Sequence, residues 1–239
     1  MGVILRRVCR ALLWLVGAFL AVTVVAVLLL RWVPPVTSAF MLHDYASARL
    51  AHDWRWQADY RWMPYERISR HVKLAVIASE DQKFAFHPGF DFEAIDAAIK
   101  ERERGRRLRG ASTISQQVAK NVFLWPGQSY LRKGLEAYLT LLIELCWPKQ
   151  RILEVYLNVA EFGPGIYGVG AAASRFFGTD PAGLSQAQSA LLAAVLPNPK
   201  RLRVERPGAY LLQRQAWIIE QMNALGGPGY INGVDRQRR

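Results

Sequence analysis

The longest apolar pattern in the chain runs from Ala11 to Leu30, twenty residues without a charge and with Thr23 as the one polar side chain. At about 1.5 Å per residue a helix of that length spans roughly 30 Å, the depth of a bilayer's hydrocarbon layer. Arg6, Arg7 and Arg10 precede the run, and no acid lies before residue 31. The positive-inside rule therefore places the N-terminus in the cytoplasm and the remainder of the chain outside. A cleavable signal peptide is the competing reading, but its apolar region is ordinarily about 7 to 15 residues long. Arg31-Trp32-Val33-Pro34-Pro35 also resembles an interfacial exit more than a small-residue cleavage site.

Beyond the run the pattern takes a helical period. Ile68, Val72, Ala75, Val76 and Ser79 share one helical face that stops where Glu80 begins. Asp91 can cap a further helix through Ile95, Ala98 and Ile99 to about Arg104. Residues 132–147 predict another, and Pro148 starts the next at its favoured first position. There Ile152, Val155, Tyr156 and Val159 form a stripe to be buried, and Gly163-Pro164-Gly165 ends the element. Gly168, Gly170, Ala171, Ala172 and Ala173, between Ile166 and Phe177, predict close helix packing. Two last helical stretches, Leu184 to Leu196 and Tyr210 to Leu225, flank Pro197-Asn198-Pro199. With no clear run of alternating strands, no repeat and no low-complexity tract, the expected fold is mainly α.

The expected organisation is a tail over residues 1–10, an anchor over 11–30, an aromatic juxtamembrane segment over 31–65 and one domain over 66–239. In the third of these Trp54, Trp56, Tyr60 and Trp62 mix with Arg55 and Arg61, which suits a membrane interface or a cap over the core equally. With 239 residues, 51% of them hydrophobic, the chain supplies one good-sized core beside the anchor.

Charge narrows the partners. The formal net charge is +12, and with the three N-terminal arginines set aside +9 remains for the outer part. Such a domain is drawn to anionic lipid. Nucleic acid is the other usual partner of this charge, but an outward-facing anchored domain is not expected to meet it. Cys9 at the inner end of the anchor and Cys146 in an apolar stretch are not expected to pair, and Cys146 reads as a small core residue. His43, His52, His71 and His87 show no metal-ligand spacing.

Two polar strings carry the candidate chemistry. Glu80-Asp81-Gln82-Lys83-Phe84-Ala85-Phe86-His87-Pro88-Gly89 sets adjacent carboxylates at the negative end of a helix dipole, a setting that suits a general base. By itself such a pair is ordinarily a solvated helix end. Gly110-Ala111-Ser112-Thr113-Ile114-Ser115-Gln116-Gln117-Val118-Ala119-Lys120-Asn121 changes that. Ser112, Gln116 and Lys120 fall at i, i+4 and i+8 with Thr113 and Gln117 alongside, a polar face about 12 Å long. The hydroxyls stand at the expected helix N-terminus, where free N–H groups attract a phosphate, and Lys120 adds a full charge. A base beside an anion cradle is the equipment for moving a group off a phosphate leaving group. Between the strings, Arg102-Glu103-Arg104-Gly105-Arg106-Arg107-Leu108-Arg109-Gly110 predicts a mobile loop, either solvated or in contact with phosphate or lipid.

These strings resemble the first two signature motifs of the peptidoglycan glycosyltransferases, glycosyltransferase family 51. Arg132-Lys133-Gly134-Leu135-Glu136 resembles the third, Arg151-Ile152-Leu153-Glu154-Val155-Tyr156-Leu157-Asn158 the fourth, and Gly165-Ile166-Tyr167-Gly168-Val169 through Phe176-Phe177-Gly178 the fifth. The likeness covers roughly Ile68 to Pro199, in order. It implies a lysozyme-like fold and a substrate, lipid II, that is a disaccharide-peptide on an undecaprenyl pyrophosphate. Glu80 is then the catalytic base on the acceptor 4-hydroxyl, and Glu136 a second glutamate that orients basic residues or the leaving group. Ser112, Gln117, Lys120, Arg132 and Lys133 hold the pyrophosphate, with Asp81, Thr113, Gln116 and Asn121 as further substrate-binding candidates. A pyrophosphate leaves without a proton, so the acid carboxyl of glycoside hydrolases is not required.

No cofactor is required by this resemblance, although a magnesium or manganese ion at the donor pyrophosphate is compatible with it. The implied partners are lipid II, the growing glycan strand, membrane lipid and proteins of cell-wall synthesis or division, without nucleic acid. The implied location is the bacterial inner membrane, with the domain in the periplasm. One departure stands out: relatives commonly carry a basic residue near position 128, where this chain has Gln128. Two rivals remain, a lytic enzyme that cuts glycan and an inactive membrane-anchored scaffold. A transpeptidase partner domain is not expected, since no Ser-x-x-Lys occurs with Lys-Thr-Gly and few residues follow Pro199.

Overall fold

A computed structural model describes residues 2–104 and 112–236. Residues 105–109 of the arginine-rich run, with Gly110 and Ala111, lie outside the described residues. The helices are α1 (Gly2–Leu30), α2 (Ala39–Leu50), α3 (Arg70–Glu80), α4 (Phe92–Glu103), α5 (Ile114–Phe123), α6 (Tyr130–Cys146), α7 (Lys149–Val159), α8 (Gly168–Phe177), α9 (Gln186–Val195), α10 (Ala209–Ala224) and α11 (Ile231–Arg236). Three short strands, β1 (Asp59–Tyr60), β2 (Glu161–Gly163) and β3 (Ile166–Tyr167), form a small sheet in the order β1-β3-β2. The mainly α expectation holds.

The core is built around two helices buried nearly all round. In α3 every residue from Val72 to Ala78 is buried, and in α7 only Gln150 and Glu154 are not fully so. Helices that present apolar side chains in all directions belong at the centre of a domain, with others packed about them. Here α9 and α10 pack on α3, and α5 and α8 on α7. Ends are fixed by side chains: Ser69 accepts from the His71 amide at the start of α3, and Ser185 with Gln188 forms a capping box on α9. Asn158 joins α7 to the segment before α3, accepting from Met63 N at 2.7 Å and donating to Met63 O at 2.9 Å. Gly168 opens α8 at φ +80°, where a Cβ would stand 2.5 Å from the Asn158 carbonyl oxygen, so no larger residue fits.

The apolar helix is exposed along most of its length, as a lipid-facing segment would be, but its C-terminal end is docked. Trp147 Nε1 donates to Val27 O at 2.7 Å, and Arg151 donates to Leu30 O at 2.8 and 3.0 Å and to Val33 O at 2.9 Å. Deeper along α1, the hydroxyls of Thr23 and Tyr138 meet at 2.9 Å. Helix α6 therefore runs alongside the last turns of α1, and Arg151 fixes the point where the chain leaves that helix.

Four details differ from the sequence expectations, while the reading of the two cysteines holds. Residues 39–50, within the segment read as irregular, form α2, because Ser38 caps it by accepting from the Met41 amide, a signal hidden by the weak amphipathicity of that stretch. Pro148 caps α7 instead of opening it. The chain leaves α7 at Val159, and Gly163-Pro164-Gly165 turns a β-hairpin instead of ending a helix. Helix α6 starts two residues early, at Tyr130, capped by Ser129. Cys146 is half-buried at the edge of the core and free, as Cys9 is, so the two do not pair.

Candidate active site

Glu80 is the last residue of α3, half-buried, and its two oxygens are held separately. Oε1 accepts from Ser79 Oγ at 3.1 Å, and Oε2 accepts from Gln117 Nε2 at 3.0 Å. Behind Ser79, Arg214 of α10 donates to both its carbonyl and its hydroxyl at 3.2 Å. The carboxylate lines a recess of about 150 Å³ shared with Gln82, Asp91, Ser112 and Trp217. It is oriented by fixed donors and still reachable from outside, the two things required of a proton acceptor.

Asp81 faces the other way. It is buried, accepts from the Ile114 amide at 2.9 Å and lies 2.8 Å from His87 Nε2. The Gly89 amide donates to His87 Nδ1, so the ring proton sits on Nε2 and points to Asp81. Thr113 caps α5: its hydroxyl accepts from the Gln116 amide and donates to Gly89 O at 2.7 Å, while Gln116 Oε1 accepts from the Thr113 amide at 2.9 Å. The polar groups at the start of α5 thus have partners within the chain. The Ile114 amide is taken by Asp81 and the Gln116 and Gln117 amides by Thr113, and Asp81, Thr113 and Gln116 lock α5 to α3. Ser112 stands before the cap, exposed in the Glu80 recess, so it does not continue a face with Gln116.

The cationic side begins one turn further along α5. Gln117 accepts from the buried Tyr156 hydroxyl at 3.2 Å while donating to Glu80, so one amide divides the Glu80 recess from a second cavity of about 290 Å³. That cavity is lined by Gln117, Lys120, Asn121, Phe40, Tyr156 and Lys200, among others. Burial pushes the Lys120 ammonium below its ordinary value, and Arg132 and Lys133 push the same way, while Glu136 and Glu80 oppose them. At the start of α6, Glu136 is buried and accepts from Arg132 Nη1 at 2.9 Å and from Lys133 Nζ. Arg132 and Lys133 thus share one carboxylate with Lys120 close by, and Arg132 Nε is buried without a partner among the described residues. Gln128 is exposed in the loop leading to this end of α6.

Sequence reasoning missed Phe40, Lys200, Arg214 and Trp217, which come from segments with no periodic link to the motifs. Tyr156 was legible as a core residue, but not the reach of its hydroxyl to Gln117. Among the described residues no three His, Cys, Asp or Glu side chains converge to hold a metal ion.

A family model described as transglycosylase matches residues 48–223, which take in the Glu80 recess, the Lys120 cavity and the start of α6. The chain belongs to the transglycosylase family. A protein of Xanthomonas euvesicatoria named biosynthetic peptidoglycan transglycosylase is 53% identical over 234 residues, 97% of this chain and 94% of that one. One of the same name from Pseudomonas entomophila is 52% identical over 242 residues, covering 99% and 98% of the two chains. A transglycosylase domain fits the mainly α, lysozyme-like fold implied by the motifs, behind one N-terminal apolar helix. Both glutamates, Glu80 and Glu136, and all three cations of the site fall within the transglycosylase match.

Proposed function

We propose that the protein is a peptidoglycan transglycosylase that polymerises lipid II into β-1,4-linked glycan strands, releasing undecaprenyl pyrophosphate. The observation that carries this reading is the junction at Gln117: a fixed, accessible carboxylate on one side and, on the other, a cavity lined by Lys120, which Arg132 and Lys133 stand close enough to affect. Glu80 takes the proton of the acceptor's 4-hydroxyl. The freed oxygen attacks the donor's anomeric carbon, the bond to the pyrophosphate breaks with inversion, and the departing charge is met by Lys120, Arg132 and Lys133, with Ser112 and Asn121 as polar contacts. Glu136 positions Arg132 and Lys133. Gln117, bonded to Glu80 and Tyr156, positions the base. A magnesium or manganese ion, if used, would be held mainly by the pyrophosphate oxygens.

The same reading has the tail of residues 1–10 in the cytoplasm, residues 11–30 across the inner membrane, and residues 66–239 as the catalytic domain in the periplasm behind the 31–65 segment. The docking of α1 against α6 supports it, because it holds the helix that carries Arg132 and Lys133 against the segment that would cross the membrane in which a lipid-linked donor resides.

The test is polymerisation of purified lipid II by the wild-type and Glu80→Gln proteins. Loss of the base is expected to slow polymer formation by about 10² to 10⁴ while the protein stays folded. Polymer formation undiminished in Glu80→Gln would sink the assignment, and shortened chains from finished glycan would favour the lytic alternative. Full complementation of a deletion strain by Glu80→Gln would mark the protein as a scaffold.

A further inference from the structure

A groove of about 610 Å³ lies where the anchor emerges, on a different part of the molecule from Glu80, Gln117, Lys120, Arg132 and Lys133. Its volume falls within the range of roughly 300 to 1,000 Å³ found for small-molecule sites. Arg31, the first charge after the apolar run, forms one side, and Arg236 at the end of α11 is also in the lining. Leu145 and Phe86 at its rim are 81% and 78% exposed. The carboxylate in the lining, Glu144, is neutralised by Lys149 at 2.7 Å. The two arginines therefore set the sign of the groove.

Its depth is fixed by the anchor. Arg31 donates to the Cys146 carbonyl in the groove wall, while Tyr138 meets Thr23, eight residues or about 12 Å deeper along α1. An arginine at the end of a membrane span sits at the headgroup level. Cationic groups there, beside exposed leucine and phenylalanine side chains, match an amphiphile with an anionic head and apolar chains.

We propose that this groove holds one anionic phospholipid of the surrounding bilayer, its phosphate between Arg31 and Arg236 and its chains against Leu145 and Phe86. The lipid couples the C-terminal helix to the point where the anchor leaves the membrane. The proposal rests on α1 as a membrane anchor and on none of the catalytic roles.

The full-length protein is placed in nanodiscs of mixed phosphatidylcholine and phosphatidylglycerol, released, and weighed with its retained lipid by native mass spectrometry. Wild type is expected to keep one phosphatidylglycerol in preference to phosphatidylcholine. The pair Arg31→Gln with Arg236→Gln is expected to lower that preference about thirtyfold, the loss of two arginine attractions at an anionic surface. Arg236→Gln alone, which disturbs no hydrogen bond or ion pair among the described residues, is expected to lower it about fivefold, and lysine at both positions to retain it. Equal retention of both lipids, or an undiminished preference in the double glutamine variant, overturns the proposal. Displacement by soluble glycerol phosphate would assign the groove to a free anion, and displacement by lipid II to the substrate; either also overturns it. Co-flotation with vesicles is measured alongside: a protein that floats without lipid preference sinks the groove alone, and one that does not float sinks the anchor too.

Discussion

The two ends of α6 hold the same kind of cluster in opposite states. At its C-terminal end Glu144 is met by Lys149 and by the Ser115 hydroxyl, and Lys149 also donates to His87 O at 2.7 Å. Charges balance there, and the polar groups of that pair are spent on one another. At its N-terminal end one buried carboxylate serves Arg132 and Lys133 with Lys120 close by, and an Arg132 N–H has no partner among the described residues. A buried cluster that is complete holds a fold together, and one left short of negative charge is prepared to receive it from outside. Balance, more than burial, separates the structural pair from the functional one.

The largest effect is expected at the balanced end. Lys149→Met leaves Glu144, whose side chain is 10% exposed, without its counter-charge, and removing one partner of a buried pair costs about 3 to 5 kcal/mol. Denaturant unfolding should register a loss of that order. A variant as stable as wild type would mean that the Lys149 cluster is as dispensable to the fold as an exposed ion pair.

At the unbalanced end the loss should appear in activity instead. Lys133 is half-exposed, and Glu136 keeps Arg132 when it is removed. Lys133→Ala is expected to slow polymerisation of lipid II about a hundredfold, the usual cost of one donor to a developing anion, with stability changed by no more than about 0.5 kcal/mol. Unfolding of this variant, with turnover per folded molecule intact, would erase the distinction between the two ends.

Lys73 sharpens the contrast from a third position. It is buried on α3, but its ammonium lies 3.5 Å from the Tyr65 ring centre instead of against a carboxylate. Burial lowers it from 10.5 to about 8, the more distant Asp235 and Glu66 opposing. A lysine lowered on folding is deprotonated first in the folded state, so from pH 8 upward the unfolded chain binds more protons and stability rises with pH. The rise ends near pH 10, where Tyr65 and Tyr60, the latter pushed up to about 12 by burial, hold their protons longer in the folded state and reverse the slope. Lys73→Met should flatten the rise and add roughly 1 to 2 kcal/mol of stability at pH 7. A loss of stability at pH 7 would show that the ring contact outweighs the burial of the charge.

What was legible in the sequence follows the reach of each signal. The anchor and helices α3 to α10 show in periodicity because burial on one side or all round leaves a pattern within a single element. Glu80 and Lys120 were visible because a carboxylate at a helix end and a cation on a polar helix face are local facts, whereas Arg132, Lys133 and Glu136 were singled out only by the resemblance of their string to a family motif. The inward turn of Asp81 was not, since it depends on His87 and on the Ile114 amide, a residue 33 positions away. For the same reason a polar stretch at the start of α5 read as a cradle for an outside anion, when Asp81 takes the Ile114 amide and Thr113 the Gln116 and Gln117 amides. Helix α2 left only a cap at Ser38 as its trace, and the hairpin at Gly163 to Gly165 only a turn.

The smallest effect is expected at Gln128, which lies one residue before the Ser129 cap of α6. If the pyrophosphate needs more charge than Lys120, Arg132 and Lys133 supply, Gln128→Arg adds it at the unbalanced end and should tighten donor binding. Arg132 and Lys133 already share the single Glu136 carboxylate, and Lys120 stands close enough to feel both. An exposed arginine in a solvated loop contributes about 0 to 1 kcal/mol. Gln128→Arg is therefore expected to change lipid II binding by less than about threefold, measured by titration with the catalytically blocked Glu80→Gln background. A tenfold gain would mean that the site is short of charge as it stands, and that the cluster on α6 is only part of the clamp.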